Sequence, residues 1–161
     1  MSTAVRTSQA LGFTAALFAA GYGFCASHLA VPRLYSLKPS VSTPMFKTVF
    51  YDGAVIIVPS ALLASAGNAY AAYGSALPEA QRLYIAAALL SIAPLVWTQL
   101  VMIKGINRLN GIADSSEVEQ EKVQSSEVVG LLKTWSVQNY VRSALYTTGG
   151  IIGIFASFAY A

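Results

Sequence analysis

The chain consists of four long apolar runs separated by stretches that hold nearly all of its charged residues. Each run is close in length to the roughly 20 apolar residues that a helix needs to cross a bilayer. The runs lie at residues 8–29, 53–73, 83–103 and 141–160. The helical pattern of the last run extends back to near Ser126, which predicts a final helix of about 35 residues. We therefore predict an all-α, integral membrane, antiparallel four-helix bundle that forms a single domain over residues 1–161.

Small residues recur at helical spacing within the apolar runs. Gly149 and Gly153 are four residues apart, and Ser60, Ala64 and Gly67 lie near one face of the second run. Small side chains allow helix backbones to approach closely, which matters in lipid because the hydrophobic effect does not drive helices together there. This spacing predicts a closely packed bundle.

Composition supports a location in a membrane. The chain is 55% hydrophobic and only 11% charged, whereas an average soluble domain is about 25% charged. Such a low charge content indicates that much of the surface faces the lipid bilayer. We accordingly predict the bilayer as a partner, and an intracellular membrane as the location: the endoplasmic reticulum in preference to the mitochondrial inner membrane.

The basic residues indicate an orientation rather than a nucleic-acid partner, because they are scattered between the apolar runs. Arg6 and Arg82 lie on the side of the two termini, and the other eight of the ten Lys and Arg residues lie on the opposite side. The positive-inside rule then places the segments 30–52 and 104–140 in the cytosol and both termini across the membrane. The segment 104–125 is predicted to be an acidic cytosolic loop.

The stretch "KTWSVQNYVRSALY" places four polar or aromatic groups on one helix face. Trp135, Asn139, Arg142 and Tyr146 follow one another at spacings of four, three and four residues, which aligns them along a helix. Other polar and aromatic residues fall at the same cytosolic end of their runs. These are His28, Tyr51, Asp52, Trp97, Thr98 and Asn107.

Each of these residues also has a simple structural interpretation. Arg142 is typical of a cation that anchors a helix at the membrane edge, and Asp52 could cap the start of a helix. Their convergence favours a polar cavity, since ionisable groups near the hydrocarbon region cost several kcal/mol unless they are paired. Flat aromatic walls and one fixed cation would suit a planar aromatic small molecule with an acidic oxygen.

A metal site has little support in the sequence. His28 is the single histidine and Cys25 the single cysteine, so neither a cysteine cage nor a di-iron site can form. A haem with one histidine ligand remains open. We predict no metal ligands.

Four segments in order resemble the anthrone oxygenase family of small four-helix membrane proteins. They are "AAGYGFCASHLAVPRL", "FYDGAVIIVPSALLAS", "APLVWTQLVMIKGINRL" and "WSVQNYVRSAL". By this resemblance Thr98, Asn107, Trp135, Asn139 and Arg142 occupy the motif positions. The resemblance implies oxidation of an anthrone to an anthraquinone with molecular oxygen as co-substrate and without a metal or flavin cofactor.

Members of this family often have histidine at the position of Asn139. Because asparagine cannot act as a general base, either the chain lacks the activity or the base lies elsewhere, at His28 or Asp52. We predict Arg142, Asn139, His28 and Asp52 as catalytic residues. Trp135, Trp97, Thr98, Asn107, Tyr51 and Tyr146 are predicted to bind the substrate.

Two other functions remain open from the sequence. The chain could be a non-enzymatic subunit or assembly factor of a larger membrane complex, with membrane proteins or copies of itself as partners. It could also carry a small lipophilic molecule, although no charged residue lies deep in the bundle to mark a translocation path. The cofactor-independent oxygenase is the favoured hypothesis.

Overall fold

The computed structural model describes residues 2–160 as a succession of helices with short connections. The elements are α1 (Thr3–Cys25), a first π turn (Ala26–Ala30), a 3-10 turn (Val31–Leu34), α2 (Pro39–Tyr73), α3 (Pro78–Trp97), a second π turn (Thr98–Met102), α4 (Ile103–Ala113), α5 (Glu117–Lys122) and α6 (Ser125–Ala159). These residues contain no β-strand, so the predicted all-α fold is confirmed.

The four long helices pack around a common centre. Helix α1 packs against α2 and α6, and α3 packs against the same two helices. Close contacts fix the relative directions of α1 and α6: Gly23 lies beside Ser143, whereas Phe13 lies beside Gly153. These two helices therefore run in opposite directions.

Three helical stretches are long and apolar enough to cross a membrane. They cover residues 3–34, 39–73 and 78–113, and each contains one of the first three predicted spans. Helix α6 is not among them, because Arg142 and its neighbouring threonines and glycines make its apolar part less hydrophobic. That 141–160 also crosses the membrane stays a prediction.

The segments between the predicted spans are more helical than the sequence analysis expected. Helix α2 begins at Pro39, a residue well suited to the first turn of a helix, so most of segment 30–52 is helical. Segment 104–125 contains α4 and α5. A capping box begins α5, with the Glu119 N–H donating to the Ser116 hydroxyl and the Ser116 N–H donating to the Glu119 carboxylate.

These extensions pack together into a hydrophobic cluster, which we call the cap cluster. It consists of Val31, Leu34, Phe46, Met102, Ile106, Leu109, Ile112, Val128, Leu132 and Trp135. The Phe46 and Trp135 rings meet edge to face, with their centroids 5.3 Å apart, a favoured aromatic arrangement. Ion pairs between Lys47 and Asp114 and between Arg108 and Glu127 join the same helices at the surface. The cap cluster covers one end of the four-helix core.

The contact between α1 and α2 requires glycine at position 67. A Cβ atom there would lie 2.7 Å from the Ser8 carbonyl oxygen and 2.9 Å from the Gly12 Cα. We expect Gly67→Ala to lower the free energy of unfolding by about 1–3 kcal/mol, because the backbones must separate. Thermal unfolding in mild detergent measures the change.

Gly21→Ala in α1 is the matched control, since a Cβ atom at that position meets no atom within 4 Å. It should leave the unfolding temperature unchanged or raise it slightly, because alanine favours helix. Equal shifts for the two variants would contradict close packing at Gly67.

Candidate functional site

A cavity of about 340 Å³ lies between the four long helices. Residues from α1, the first π turn, α2, α3, the second π turn and α6 form its wall. The cap cluster, through Trp135, covers one end, and a small cluster of Ala19, Ala20, Ile57, Ala61 and Tyr146 closes the other. We call the latter the alanine cluster. The volume falls at the low end of the roughly 300–1,000 Å³ of small-molecule sites.

The predicted face of α6 forms one side of this cavity. Trp135, Asn139, Arg142 and Tyr146 all line it, as does Ser143. The spacing of four, three and four residues therefore brings these groups together, although their roles in catalysis or binding stay a prediction.

Asn139 connects α6 to α1 and positions the cation. Its side-chain N–H group donates to the Gly23 carbonyl oxygen and to the Ser27 hydroxyl, each at 2.8 Å. Its amide oxygen accepts from Arg142 Nη1 at 3.0 Å. Gly23 lies in the last turn of α1, just before the first π turn, and Ser27 lies within that turn; such turns often occur at functional sites. Since Asn139 is buried and donates to two acceptors, its orientation is fixed.

Arg142 is half-buried, and none of the carboxylates that the structure describes pairs with it. The ion pairs found within residues 2–160 are Lys47–Asp114 and Arg108–Glu127. Arg142 Nε is buried and makes no hydrogen bond to any described residue. The Tyr146 hydroxyl lies near the guanidinium but lacks hydrogen-bond geometry. An unpaired cation among apolar groups is costly and marks a functional site by default.

Further polar atoms of the cavity wall are buried without a partner in the described part of the chain. They are Trp135 Nε1, Ser143 Oγ and the Tyr146 hydroxyl. Buried polar groups in proteins are nearly always satisfied. Their residues line the cavity together with Arg142, so hydrogen-bonding capacity beside a largely apolar space is left unused, which suits a ligand carrying carbonyl, phenol or phenolate oxygens.

Not all of the predicted site residues on α3, the second π turn and α4 line the cavity. Thr98 lines the cavity, and its hydroxyl donates to the Pro94 carbonyl oxygen at 2.8 Å. Trp97 packs against the cap cluster instead, with its Nε1 buried and unpartnered within residues 2–160. Asn107 is exposed on α4. Trp97 and Asn107 therefore do not line the cavity.

The predicted bases also lie outside the cavity wall. His28 is exposed, with its ring stacked on Phe24 and its Nδ1 3.4 Å from the Tyr140 hydroxyl. Asp52 and Tyr51 are exposed on the outer side of α2. The cavity wall contains neither a carboxylate nor an imidazole. A catalytic role for His28 or Asp52 would require a second site at the surface.

The cavity is covered at the end of the bundle where the sequence analysis grouped the polar residues. That analysis extended only the last helix beyond its span, but α2 and α4 also lie partly outside the predicted spans, and all three helices bury apolar residues against one another. The resulting cap cluster covers the cavity, so the site lies within the bundle.

The sequence analysis missed Tyr22, Phe50 and Ser143 as cavity residues. Ser143 could have been found, because it lies four residues after Asn139 on the same helix face. Tyr22 and Phe50 carry no comparable signal, since many aromatic residues of these helices face outward. Within residues 2–160, no three His, Cys, Asp or Glu side chains lie together as a metal site would require.

The hydrogen bonds of Asn139 can be tested by replacing it with a residue of similar shape. Asn139→Leu removes the side-chain hydrogen bonds to the Gly23 carbonyl, the Ser27 hydroxyl and Arg142. We expect the free energy of unfolding to fall by about 1–3 kcal/mol, measured by thermal unfolding in detergent. Gln138→Leu, next in the chain and outside the cavity wall, should change it little. A similar fall in both variants would contradict the role of Asn139.

The comparison with known proteins agrees with the resemblance found in the sequence. The family model of the anthrone oxygenases matches residues 46–152. This range covers most of α2, all of α3 and the cavity face of α6, while α1 lies outside it. No curated protein and no solved structure matches the chain. Because the family model covers more than half of the sequence, the chain belongs to the anthrone oxygenase family.

Proposed function

We propose that the protein is a membrane oxygenase that oxidises a planar polycyclic phenol of the anthrone type to the quinone with molecular oxygen, without a metal or organic cofactor. The observation that carries this proposal is the Arg142 guanidinium, which faces an apolar cavity without a carboxylate partner among the described residues. Membership of the anthrone oxygenase family supports it.

The cavity suits the shape and polarity of such a substrate. Trp135, Phe50 and Tyr22 provide flat aromatic surfaces for a fused ring system. Arg142, the Trp135 N–H and the Tyr146 hydroxyl are donors for the oxygens of the substrate. A hydrophobic pocket with few polar groups is the usual form of a site that binds and orients a small molecule.

The reaction requires charge stabilisation more than elaborate catalytic machinery. The methylene carbon between the two outer rings of an anthrone loses a proton, and the electron pair delocalises onto the carbonyl oxygen. The resulting anion transfers an electron to O₂, the two radicals join in a carbon–oxygen bond, and the peroxide anion takes back a proton to give a hydroperoxide. Loss of water from the hydroperoxide then leaves the second carbonyl of the quinone. Arg142 stabilises the anion from a fixed position in an apolar environment, where electrostatic stabilisation is strong.

No side-chain base is required in the cavity wall if the anion is sufficiently stabilised. A guanidinium beside the developing oxyanion lowers the free energy of deprotonation, and we propose that water accepts the proton. Asn139 acts in this scheme as a positioning residue, because it holds Arg142 and cannot accept the proton itself. This assignment replaces His28 and Asp52 as the favoured proton acceptors.

We further propose that α6 crosses the membrane together with the three more apolar stretches, which completes an antiparallel four-helix membrane bundle. The distribution of basic residues supports a cytosolic location for segments 30–52 and 104–140. The endoplasmic reticulum is the proposed membrane.

Arg142→Gln should reduce oxidation of emodin anthrone by about 100-fold or more, because the oxyanion loses its cation. Oxygen uptake by purified protein in lipid nanodiscs measures this rate, after subtraction of spontaneous oxidation in empty nanodiscs. Arg33→Gln is the control, since Arg33 is an exposed arginine that donates to the Leu29 carbonyl outside the cavity.

Equal rates for the wild type and Arg142→Gln would remove Arg142 from the mechanism. A well-folded wild-type protein that never exceeds the background rate would contradict the oxygenase. In that case, stoichiometric copurification of other membrane proteins would favour the complex-subunit alternative.

The positions of His28 and Asp52 outside the cavity lead to a separate prediction. His28→Ala and Asp52→Asn should each retain turnover within about twofold of the wild type, because surface groups that do not contact the substrate contribute little to catalysis. The same oxygen-uptake assay measures the turnover of both variants. A loss comparable to that of Arg142→Gln in either variant would identify that residue as the base and contradict proton transfer to water.

A further inference from the structure

The cavity reaches the surface at one side of the bundle. Its two ends are covered by the cap cluster and the alanine cluster, in which Ala19 and Ala61 are fully buried. Among the residues of its wall, only Val58 and Gln99 have exposed side chains. Val58 lies on α2 and Gln99 on the second π turn, so the opening lies between these two elements.

Helix packing leaves a gap at the same place. Helix α2 packs against α3 and against α4, but it makes few contacts with the second π turn that connects them. Val58 lies within the predicted span 53–73 and Gln99 within 83–103. The opening is therefore at the depth of the membrane.

The surface around this gap is apolar. Val55 is 75% exposed, Leu100 is 76% exposed and Val96 is 53% exposed. In a helix stretch long and apolar enough to span a bilayer, such side chains contact lipid tails. Gln99 is the exception on this surface, and its amide can bond a polar group that passes between lipid and cavity.

The helices that border the gap are interrupted by features that weaken helical hydrogen bonding. Pro59 follows Val58 directly and has no N–H to bond the carbonyl four residues earlier. Pro94 likewise has no N–H to donate within α3, and it lies shortly before the second π turn. Helices bend most readily at prolines and π turns, so both edges of the gap lie beside points where a helix bends at low cost.

We propose that the gap between α2 and the second π turn is a lateral portal, through which a planar aromatic molecule dissolved in the lipid enters and leaves the cavity. The chemical class of the molecule rests on the proposed function. The portal itself rests on the exposure of Val58 and Gln99, the closed ends of the cavity and the break in packing.

The portal can be tested with alizarin, a stable planar anthraquinone that requires no turnover. Stopped-flow quenching of tryptophan fluorescence, with protein in lipid nanodiscs, gives its association and dissociation rates. Val58→Phe and Gln99→Phe should each slow both rates by about tenfold, because a narrower passage delays movement in both directions. The Kd, which is the dissociation rate constant divided by the association rate constant, should change less than either rate constant.

Matched controls use exposed neighbours that do not line the cavity. Val55→Phe and Leu100→Phe add the same side chain at positions 75% and 76% exposed and should leave both rates unchanged. Val58→Ala widens the passage and should raise both rates, which keeps the test valid if a phenylalanine variant misfolds. Size-exclusion chromatography checks that each variant is monodisperse.

The outcomes for the portal and for the oxygenase are distinguishable. If Val58→Phe and Val58→Ala bind alizarin at the same rates as Val55→Phe, the portal is wrong, while the oxygenase is unaffected. A wild-type protein that does not bind alizarin at all would also overturn the portal as stated. Rates that depend on Val58 in a protein without anthrone turnover would support the portal and contradict the oxygenase.

Discussion

A guanidinium group that pairs with no carboxylate in the described part of the chain is held inside an apolar helix bundle, and the local structure depends on how it is held. Arg142 donates to the amide oxygen of Asn139, and the N–H group of Asn139 donates to the Gly23 carbonyl and to Ser27. A Cβ atom at Gly23 would lie 2.7 Å from Ser143 Oγ, so a larger residue there would force the Ser143 side chain to turn away. One hydrogen-bonded chain thus joins α1 to α6 and orients the cation.

The α6 side of the site could be predicted from the sequence because it depends on one regular helix. A spacing of four, three and four residues places Trp135, Asn139, Arg142 and Tyr146 on one face whatever the rest of the chain does. The all-α class and the apolar stretches were predictable for the same reason, since both depend on local composition and length. The family was recognisable because its motifs include this face.

Which residues form the other walls of the cavity depends on tertiary contacts, and local sequence patterns do not contain these. The prediction grouped His28, Asp52 and Asn107 with the site because they lie at a similar depth, but depth does not tell which way a side chain points around a helix. His28 lies in the first π turn, where the ordinary helical phase is interrupted. The cap cluster arises from contacts between segments distant in sequence, and these set which end of the cavity is covered.

The cap cluster also bears on the solvent from which the reactants of the proposed oxygenase would come. Because it separates the cavity from the predicted cytosolic side, the proposed portal would admit the aromatic substrate from hydrocarbon, and only the water that accepts the proton would come from an aqueous phase. Molecular oxygen is a small apolar gas and is more soluble in hydrocarbon than in water. An oxygenase with such an opening would draw both of its reactants from the same lipid phase, and its rate would follow the oxygen content of the membrane.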